Sequence, residues 1–415
     1  MLFRSNFSLF DAYFSDEAPY WGIKPRMPSW SLPAAGEVTD LGTATLNAGV
    51  GRTVNWWTAW SGVAWAPWWG TAGSILAAGG GHTDGDQNDV ARFDIATGAF
   101  SMLKSPPATA YAMAAGNLVA DTATDGWMWA NTTPGDTTMQ TGESPAQHHY
   151  GGLLAIPSNA IDSLGATNGI LCHVGQAAIA NNGDNGSKAI HVLRMGQDQQ
   201  YTRYGPSSAS LSHHRAQRGT CYDAKRNRVW FPQHNASDPS VTFAYRDMSD
   251  GSEGTQAFSL QGGMSAWASS YDSMEWSSRH DCIVRIMEVP GSSPREYTKI
   301  IVLDLATNLA YQPAQTGTPP AGDNNFAAGW SDTLNCFVVL RGSSGDNKVY
   351  FCKPSGNPRT GSWAWTSQTI TSGTVRAAQG NPAFNRLRHV TALGNVLLWA
   401  ADARYPVQLI GVTPP

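Results

Sequence analysis

The segment FDIATGAF, residues 93–100, has a counterpart far along the chain, where residues 303–311 read LDLATNLAY. In both segments an alternating apolar run ends at an aspartate, an Ala-Thr pair forms a turn, and an aromatic residue lies in the next run. Side chains that alternate with a period of two are typical of β-strands, and two such runs around a short turn predict a β-hairpin. The two segments therefore predict equivalent hairpins in two repeated units.

Further repeats extend this pattern over most of the chain. Weaker copies of the hairpin lie at 190–204, 242–260 and 348–365. A second pattern places an aromatic residue, Asp or Ser and a polar turn before an alternating strand. Its copies are YDAKRNRVWFP (222–232), WSSRHDCIVRI (276–286) and WSDTLNCFVVL (330–340), with a longer variant at 148–175. The two patterns together give four short strands in each unit.

The unit length predicts a β-propeller. Each unit takes up roughly 50–60 residues, which is typical of a four-stranded propeller blade. The units begin near residues 55, 148, 210, 264, 324 and 376. Residues 104–147 contain one clear strand pattern, at 125–132, in a Thr-, Gly- and Pro-rich surround, and they form either an insertion or a seventh, degenerate blade. We predict an all-β propeller of six four-stranded blades, with seven as the alternative.

The last unit has room for only about three strands, and a segment near the N-terminus supplies a fourth. Residues 36–42, GEVTDLG, have the pattern of an outer strand. Pairing this segment with the last blade would close the ring and remove an open sheet edge. The sequence thus predicts an extended N-terminal arm over 1–35 and a propeller over 36–415.

Residues 79–94, GGGHTDGDQNDVARFD, combine a glycine-rich strand end with a polar loop. They resemble kelch-type propeller repeats, as in the galactose-oxidase central domain, with a diglycine strand end, a loop, an aromatic strand and an Asp-centred turn. We expect His82 and Asp84 to hydrogen-bond the loop. No Lys and no helix follow the glycines, so a phosphate-binding loop does not fit, and the spacing of an EF-hand is missing as well.

The sequence carries no recognisable catalytic motif. No HExxH, GxSxG or sialidase-type Ser-x-Asp-x-Gly-x-x-Trp box is present, and the copper ligands of galactose oxidase find no matching positions. The paired histidines His148/His149 and His213/His214 would form either a metal cluster or a polar channel rim. A carboxylate pair for glycoside hydrolysis stays open, because its members can be distant in sequence. We predict no catalytic residue, no metal and no cofactor.

Composition indicates which classes of partner and which cellular compartment to expect. The net charge of −4 gives no reason to expect nucleic acid, and no run approaches the roughly 18 apolar residues of a membrane span. Five cysteines without a CxxC pair favour buried reduced thiols. Residues 1–21 make a poor secretory signal, because polar residues interrupt the apolar run. We expect a protein made in the cytoplasm that leaves by lysis or assembly.

Tryptophans are the strongest candidates for binding. Residues 55–70, NWWTAWSGVAWAPWWG, hold six of them, and neighbours such as Trp68 and Trp69 cannot both face one side of a strand. Some fill the core between blades, while others are candidates for contact with a sugar or a protein. The candidate exposed binding aromatics are Trp57, Trp69 and Trp127.

The arm carries a second set of candidates. Four phenylalanines recur at spacings of four, three and four, as along one face of a helix, and a proline-rich stretch with further aromatics follows. So many aromatics pack either on the chain's own propeller or on a neighbouring subunit. The candidate subunit-interface residues are Phe3, Phe7, Phe10, Phe14, Tyr20, Trp21 and Trp30.

These features predict a non-enzymatic structural or binding component of a multi-subunit assembly. In composition and architecture the chain resembles virion proteins of tailed phages that build nozzle or host-contact parts of the tail. That resemblance implies a homo-oligomer in the virion tail with other virion proteins as partners, and cell-surface glycan as a further ligand. The alternatives are a glycan-binding propeller or carbohydrate-active enzyme, and a kelch-type copper oxidase.

Overall fold

The computed structural model shows an all-β chain. It describes residues 30–41, 62–78, 90–104, 118–121, 126–129, 151–160, 164–174, 190–198, 202–205, 219–232, 241–262, 272–289, 292, 296–323, 326–342, 347–378, 385–401 and 405–415. Helical structure in this part of the chain is limited to 3-10 turns such as Ser158–Ala160 and Thr391–Leu393. The predicted fold class is confirmed at this level, and the sheets have a propeller-like arrangement.

The first half of the chain forms two four-stranded antiparallel sheets and a hairpin between them in sequence. Sheet 1 contains β2 (Ala64–Ala66), β3 (Ser74–Ala78), β4 (Val90–Asp94) and β5 (Ala99–Lys104). The hairpin consists of β6 (Leu118–Asp121) and β7 (Gly126–Trp129). Sheet 2 contains β8 (Leu153–Ile156), β9 (Ile170–His173), β10 (Ile190–Arg194) and β11 (Thr202–Tyr204).

Sheets 3 and 4 are joined into one eight-stranded sheet, because their outer strands β15 and β19 pair in parallel. Sheet 3 contains β12 (Cys221–Asp223), β13 (Arg228–Pro232), β14 (Val241–Asp247) and β15 (Glu253–Leu260). Sheet 4 contains β16 (Asp272–Ser277), β17 (Cys282–Glu288), β18 (Tyr297–Asp304) and β19 (Leu309–Tyr311).

The remaining strands form two sheets that each use a strand from elsewhere in the chain at the outer edge. Sheet 5 contains β20 (Gln315–Gly317), β21 (Phe326–Ser331), β22 (Cys336–Arg341), β23 (Lys348–Pro354) and β24 (Trp363–Thr369), with β20 parallel to β24. Sheet 6 contains β25 (Leu387–His389), β26 (Val396–Trp399), β27 (Gln408–Gly411) and β1 (Val38–Asp40). These additions cover edges that could otherwise pair with another chain.

The N-terminal strand completes the last sheet, as the sequence predicts. β1 is antiparallel to β27, with Val38 opposite Ile410 and Asp40 opposite Gln408. Two backbone hydrogen bonds extend this pairing, from Gly36 N–H to the Gly411 carbonyl and from Gly411 N–H to the Glu37 carbonyl, both 2.9 Å. The two ends of the propeller region therefore meet in one sheet.

Apolar clusters fill the spaces between consecutive sheets. Among the described residues each cluster combines side chains of two neighbouring sheets, and the series returns from sheet 6 to sheet 1. In order around this series the clusters contain Leu76 with Leu193, Ile170 with Phe231, Phe243 with Ile283, Val284 with Phe337, Phe351 with Trp399, and Leu398 with Phe93. The core is thus distributed radially, and burial of this apolar surface holds each sheet to two neighbours.

Burial on both faces explains why many strands are continuously apolar. In β3, Ile75 and Ala77 belong to the cluster shared with sheet 6, while Leu76 and Ala78 belong to the cluster shared with sheet 2. Successive side chains point to opposite faces of a strand. A strand packed between two sheets therefore favours apolar residues on both of its faces. A half-exposed strand would instead alternate apolar and polar residues.

The turn that precedes the second strand of each sheet contains a residue in the left-handed region. The residues are Gly73, Gly169, Asn227, Asp281, Asn335 and Gly394, with φ between 49° and 90°. Glycine, asparagine and aspartate tolerate this conformation better than other residues. Asn227, Asp281 and Asn335 fall at the same position of the three segments that align at 222–232, 276–286 and 330–340, so the sequence repeat records a backbone requirement.

The cysteines behave as the sequence predicts. All five are buried and free. Cys282 and Cys336 each begin the second strand of their sheet, which matches their equivalent places in the repeat. Burial raises the pKa of both thiols to about 12. They therefore stay protonated at neutral pH and act as small apolar residues of the core.

The hairpin β6–β7 refines the prediction for residues 104–147. The segment 125–132 does contain a strand, β7, but its partner β6 was not recognised from the sequence. With four residues, Leu118–Asp121 is too short for its period to be distinguished from that of a loop or a helical turn.

Substitutions at Asn308 test whether the turns require residues that tolerate a positive φ. It lies exposed in the β18–β19 turn with φ of 58°. We predict that Asn308→Gly leaves the free energy of unfolding nearly unchanged, while Asn308→Val lowers it by about 1–2 kcal/mol, because a β-branched side chain is strained there. Urea unfolding measures both. Ala306→Val, in the same turn at negative φ, is the control, and an equal loss in both valine variants would contradict the backbone explanation.

Candidate functional site

One face of the sheets carries the turns between first and second strands, and we call it the turn face. It consists of the turns at 67–73, 224–227, 278–281, 332–335 and 390–395 and the described parts of 157–169, each joining the first two strands of a sheet. Antiparallel strands bring the turns between third and fourth strands, such as 95–98 and 305–308, to the same face. His82 and Asp84 and both histidine pairs lie outside the described residues.

A tryptophan cluster lies on the turn face where sheets 1 and 2 meet. Trp68 and Trp69 are in the β2–β3 turn, and both are half-buried. The Trp68 indole N–H donates to the Asn168 carbonyl of sheet 2 at 3.0 Å. The guanidinium of Arg92 lies 4.3 Å from the centroid of the Trp69 ring, an attractive arrangement of a cation over an aromatic face.

Polar contacts fix the arginine in this cluster. Arg92 Nε donates to Ser74 Oγ at 2.8 Å, and a second nitrogen of Arg92 pairs with Asp94. Ser74 Oγ in turn donates to the Trp69 carbonyl at 2.6 Å. The side of Trp69 that faces sheet 2 is bordered by exposed Gly196, where a Cβ atom would lie 3.6 Å from the ring. We call Trp68, Trp69, Arg92, Asp94 and Gly196 the tryptophan site.

The structure describes only part of the predicted binding aromatics. Trp69 is half-buried, with Arg92 over its ring. Trp57 lies outside the described residues, and of Trp127 the structure gives the backbone position on β7 but not the side chain. Exposure of these three tryptophans to a ligand stays a prediction.

The root of the arm is attached to sheet 6 and to the segment that follows β24. Trp30 packs against the apolar cluster between sheets 6 and 1. Gly36 accepts a 2.8 Å hydrogen bond from Thr371 N–H, and Glu37 forms a parallel bridge with Ser372. The other predicted interface residues, Phe3, Phe7, Phe10, Phe14, Tyr20 and Trp21, lie outside the described residues.

Side chains link the turns of neighbouring sheets along this face. Between sheets 3 and 4, Asp281 accepts from Lys225 at 2.5 Å and from Arg226 at 2.7 Å. Between sheets 5 and 6, Ser331 Oγ lies 2.8 Å from His389 Nδ1. These contacts hold consecutive sheets at a fixed spacing.

Sheets 4 and 5 are linked in the same way. Ser278 donates to Asp332 from its backbone N–H at 2.8 Å and from its hydroxyl at 2.7 Å. His280 Nε2 lies 2.6 Å from Asn335 Oδ1. His280 and Asn335 occupy the positions of the repeat that Arg226 and Asp281 occupy in the link between sheets 3 and 4. Similar polar links therefore recur along the turn face.

The charge of Asp281 is stabilised by this network. Burial by itself would raise the pKa of its carboxyl, but hydrogen bonds and charge from Arg226 and Lys225 outweigh burial and lower the pKa to about 2. Asp281 is therefore ionised at neutral pH.

An ion pair joins the first strands of sheets 4 and 6, with sheet 5 between them. Arg388 of β25 pairs with Glu275 of β16, and their side chains are 10% and 23% exposed. Gly329 of β21 lies between them, and a Cβ atom there would come within 2.5 Å of the Leu387 carbonyl and 3.7 Å of the Arg388 guanidinium. A glycine at position 329 therefore lets strands β21 and β25 approach closely. Burial lowers the pKa of Arg388 to about 10, so it stays charged at neutral pH.

A second buried ion pair lies within sheet 4, on the side that faces sheet 3. Arg285 Nε donates to Asp272 at 2.7 Å, and Asp272 also accepts the Gly219 N–H. The guanidinium lies 5.0 Å from the ring centroid of Phe243 on sheet 3. Sequence reasoning missed this pair and Glu275–Arg388. Nothing in the repeat pattern marks these partners, since Asp272 and Arg285 lie on two paired strands of sheet 4, while Glu275 and Arg388 come from different sheets.

Two general features complete the description of the site. No group of three or more His, Cys, Asp or Glu side chains in the described part of the chain is arranged to hold a metal ion. Among the same residues, no helix has the length and apolar character needed to cross a membrane.

Comparisons with known proteins give low similarity. No family model matches the chain, and no curated protein sequence matches it. Among solved structures, the major allergen Mala s 1 of Malassezia sympodialis is 9% identical with a TM-score of 0.46, over 91% of this chain and 96% of that chain. An auxiliary nutrient binding protein from Bacteroides ovatus is 8% identical with a TM-score of 0.43, over 86% and 68%.

Acid titration tests the link between sheets 3 and 4. Because the carboxyl of Asp281 has a pKa of about 2 in the folded chain and an ordinary value of 3.8, it contributes stability above pH 3.8 that is lost as the pH falls toward 2. We predict that Asp281→Asn lowers the free energy of unfolding at pH 7, and that its difference from the wild type shrinks below pH 4.

The asparagine variant keeps a residue that tolerates the φ of 49° at this position, so backbone strain does not enter the comparison. Urea unfolding at pH 7, 4, 3 and 2.5 measures the effect. Glu296→Gln is the control, because Glu296 is exposed. A difference between Asp281→Asn and the wild type that stays constant down to pH 2.5 would show that the carboxylate is not stabilised as described.

Proposed function

We propose that this chain is a non-enzymatic structural or binding subunit of a multi-subunit assembly, built as a six-bladed β-propeller that carries an N-terminal docking arm. The propeller serves as a stiff base, and the arm joins it to a neighbouring subunit. A tail of a phage virion is the setting that we propose for it, with other virion proteins as partners.

Two observations support six blades. The apolar clusters pair sheets 1 to 6 in a closed series, and each sheet has a left-handed residue before its second strand. Sheets 1 and 2 share one cluster directly, with Leu76 and Leu193 in it. This direct contact among the described residues supports six blades, so we assign the hairpin β6–β7 to an insertion between sheets 1 and 2.

The attachment of the arm carries the functional proposal. Residues 33–37 pass directly into β1, which is the outer strand of sheet 6, and Gly36 is hydrogen-bonded to both Gly411 and Thr371. A load on the arm is therefore transmitted into the pairing of β1 with β27 and into the apolar cluster behind it. An arm fixed to the closing sheet suits a subunit that is held in place by its neighbours.

The polar links on the turn face support the role of a stiff base. Consecutive sheets are joined by side chains such as Asp281, Asp332 and His389 as well as by the core. Groups that hold one another in a satisfied network favour a single arrangement of the backbone. Loops on such a ring are presented at fixed positions to a partner.

Removal of the arm tests this proposal. We predict that the full chain forms an oligomer and that a variant lacking residues 1–29 is monomeric, because it keeps Trp30 and β1 but loses the docking segment. Light scattering coupled to gel filtration measures the mass of both. Equal thermal unfolding temperatures would show that the ring itself is intact.

The control is a variant of the same length in which the order of residues 1–29 is scrambled, so that composition and charge are kept. It is expected to be monomeric as well. A full chain that stays monomeric at all concentrations tested would contradict the role of the arm in self-assembly.

A further inference from the structure

We propose that the tryptophan site of one subunit binds the proline-rich segment 16–29 of the arm of a second copy of this chain. The inference rests on the proposed function, because it names the surface on which the arm docks. It follows from the chemistry of the site, the sequence of the arm and the face from which the arm leaves the ring.

The composition of the site is typical of a protein contact. Tryptophan and arginine are enriched among the residues that dominate binding energies, especially where a packed ring is bordered by residues that exclude water. Here Trp68 and Trp69 are held by the Asn168 carbonyl and by Arg92, so the rings are fixed before a ligand arrives. A fixed site loses less conformational entropy on binding than a mobile one.

Two glycines border the rings. Gly70 and Gly196 are both exposed and flank the cluster. A Cβ atom at Gly196 would come 3.6 Å from Trp69, and one at Gly70 would come 2.8 Å from Arg92. Glycine at these two positions lets another chain approach the aromatic rings and the guanidinium closely.

The arm has the sequence that suits such a site. Residues 16–28 read DEAPYWGIKPRMP, with three prolines in thirteen residues. Proline-rich segments favour the polyproline II conformation, which loses little entropy on binding and is recognised by surfaces lined with aromatic residues. Arg92 and Asp94 form an ion pair, so the site presents one charge of each sign. It therefore suits a segment that also carries charges of both signs.

The position of the root favours exchange of arms between two copies. Strand β27 ends on the turn face and β1 begins there, so the arm leaves the ring on the same face that carries the tryptophan site. Two rings that meet turn face to turn face can each insert an arm into the other, which gives a closed, self-complementary dimer. The four phenylalanines of residues 3–14 would then pack on the partner ring as well.

A complementation experiment with full-length chains tests the proposal. One variant carries Trp69→Ala with an intact arm, and a second carries Trp21→Ser, Pro25→Ser and Pro28→Ser with an intact site. We expect each variant alone to dimerise at least about 30-fold more weakly than the wild type, since one dominant contact is lost. An equimolar mixture is expected to recover heterodimers, because one arm and one site remain productive. Sedimentation equilibrium measures all three samples.

Two controls separate docking from folding. Trp69→Phe keeps an aromatic ring over Arg92 and is expected to retain most of the dimer. Trp276→Ala removes a half-buried tryptophan that packs at the boundary of sheets 3 and 4, away from the site, and is expected to dimerise like the wild type wherever it folds. Near-ultraviolet circular dichroism reports whether each variant keeps its core.

The outcomes distinguish this proposal from the one on which it rests. A dimer that survives Trp69→Ala but not the arm substitutions would keep the arm as the assembly element and overturn the tryptophan site as its receptor. A wild type without any dimer would overturn both. Loss of binding to a glycan array in Trp69→Ala, with the mass unchanged, would assign the site to a carbohydrate and overturn the arm-docking proposal.

Discussion

The pairing of β1 with β27 is the contact on which the rest of the structure depends. Each sheet is stabilised by neighbours on both faces, and a series of such sheets has two unsatisfied faces unless it closes. Strand β1 completes sheet 6, and the cluster that includes Phe93 and Leu398 joins that sheet to sheet 1. Closure therefore ties the two ends of the propeller region to each other and turns a linear repeat into a cooperative unit.

Much of the fold follows from local sequence. The hairpins, the aligned segments and the closing strand are predictable, because they depend on the period of two, on turn residues and on repetition along the chain. Buried reduced cysteines follow from equivalent places in the repeat. Strand β6 is the exception among these local features, since four residues carry too little pattern.

The candidate site is less predictable, because its contacts join different sheets. Trp69 looks exposed in sequence, and only the placement of Arg92 from another strand determines how its ring is covered. The pair Glu275–Arg388 joins sheets 4 and 6 across the intervening sheet 5. Such contacts depend on how the sheets are positioned relative to one another. No periodic pattern in a single sequence predicts that arrangement.

Hydrogen exchange of the full chain tests most directly whether the arm is rooted in the closing sheet of the ring. The amides of Gly36 and Gly411 are hydrogen-bonded across the closure. We predict that they exchange as slowly as the amides in the middle of β17 and β22, and only through global unfolding. Fast exchange at these positions, with the other strands still protected, would show an open ring and would contradict the account.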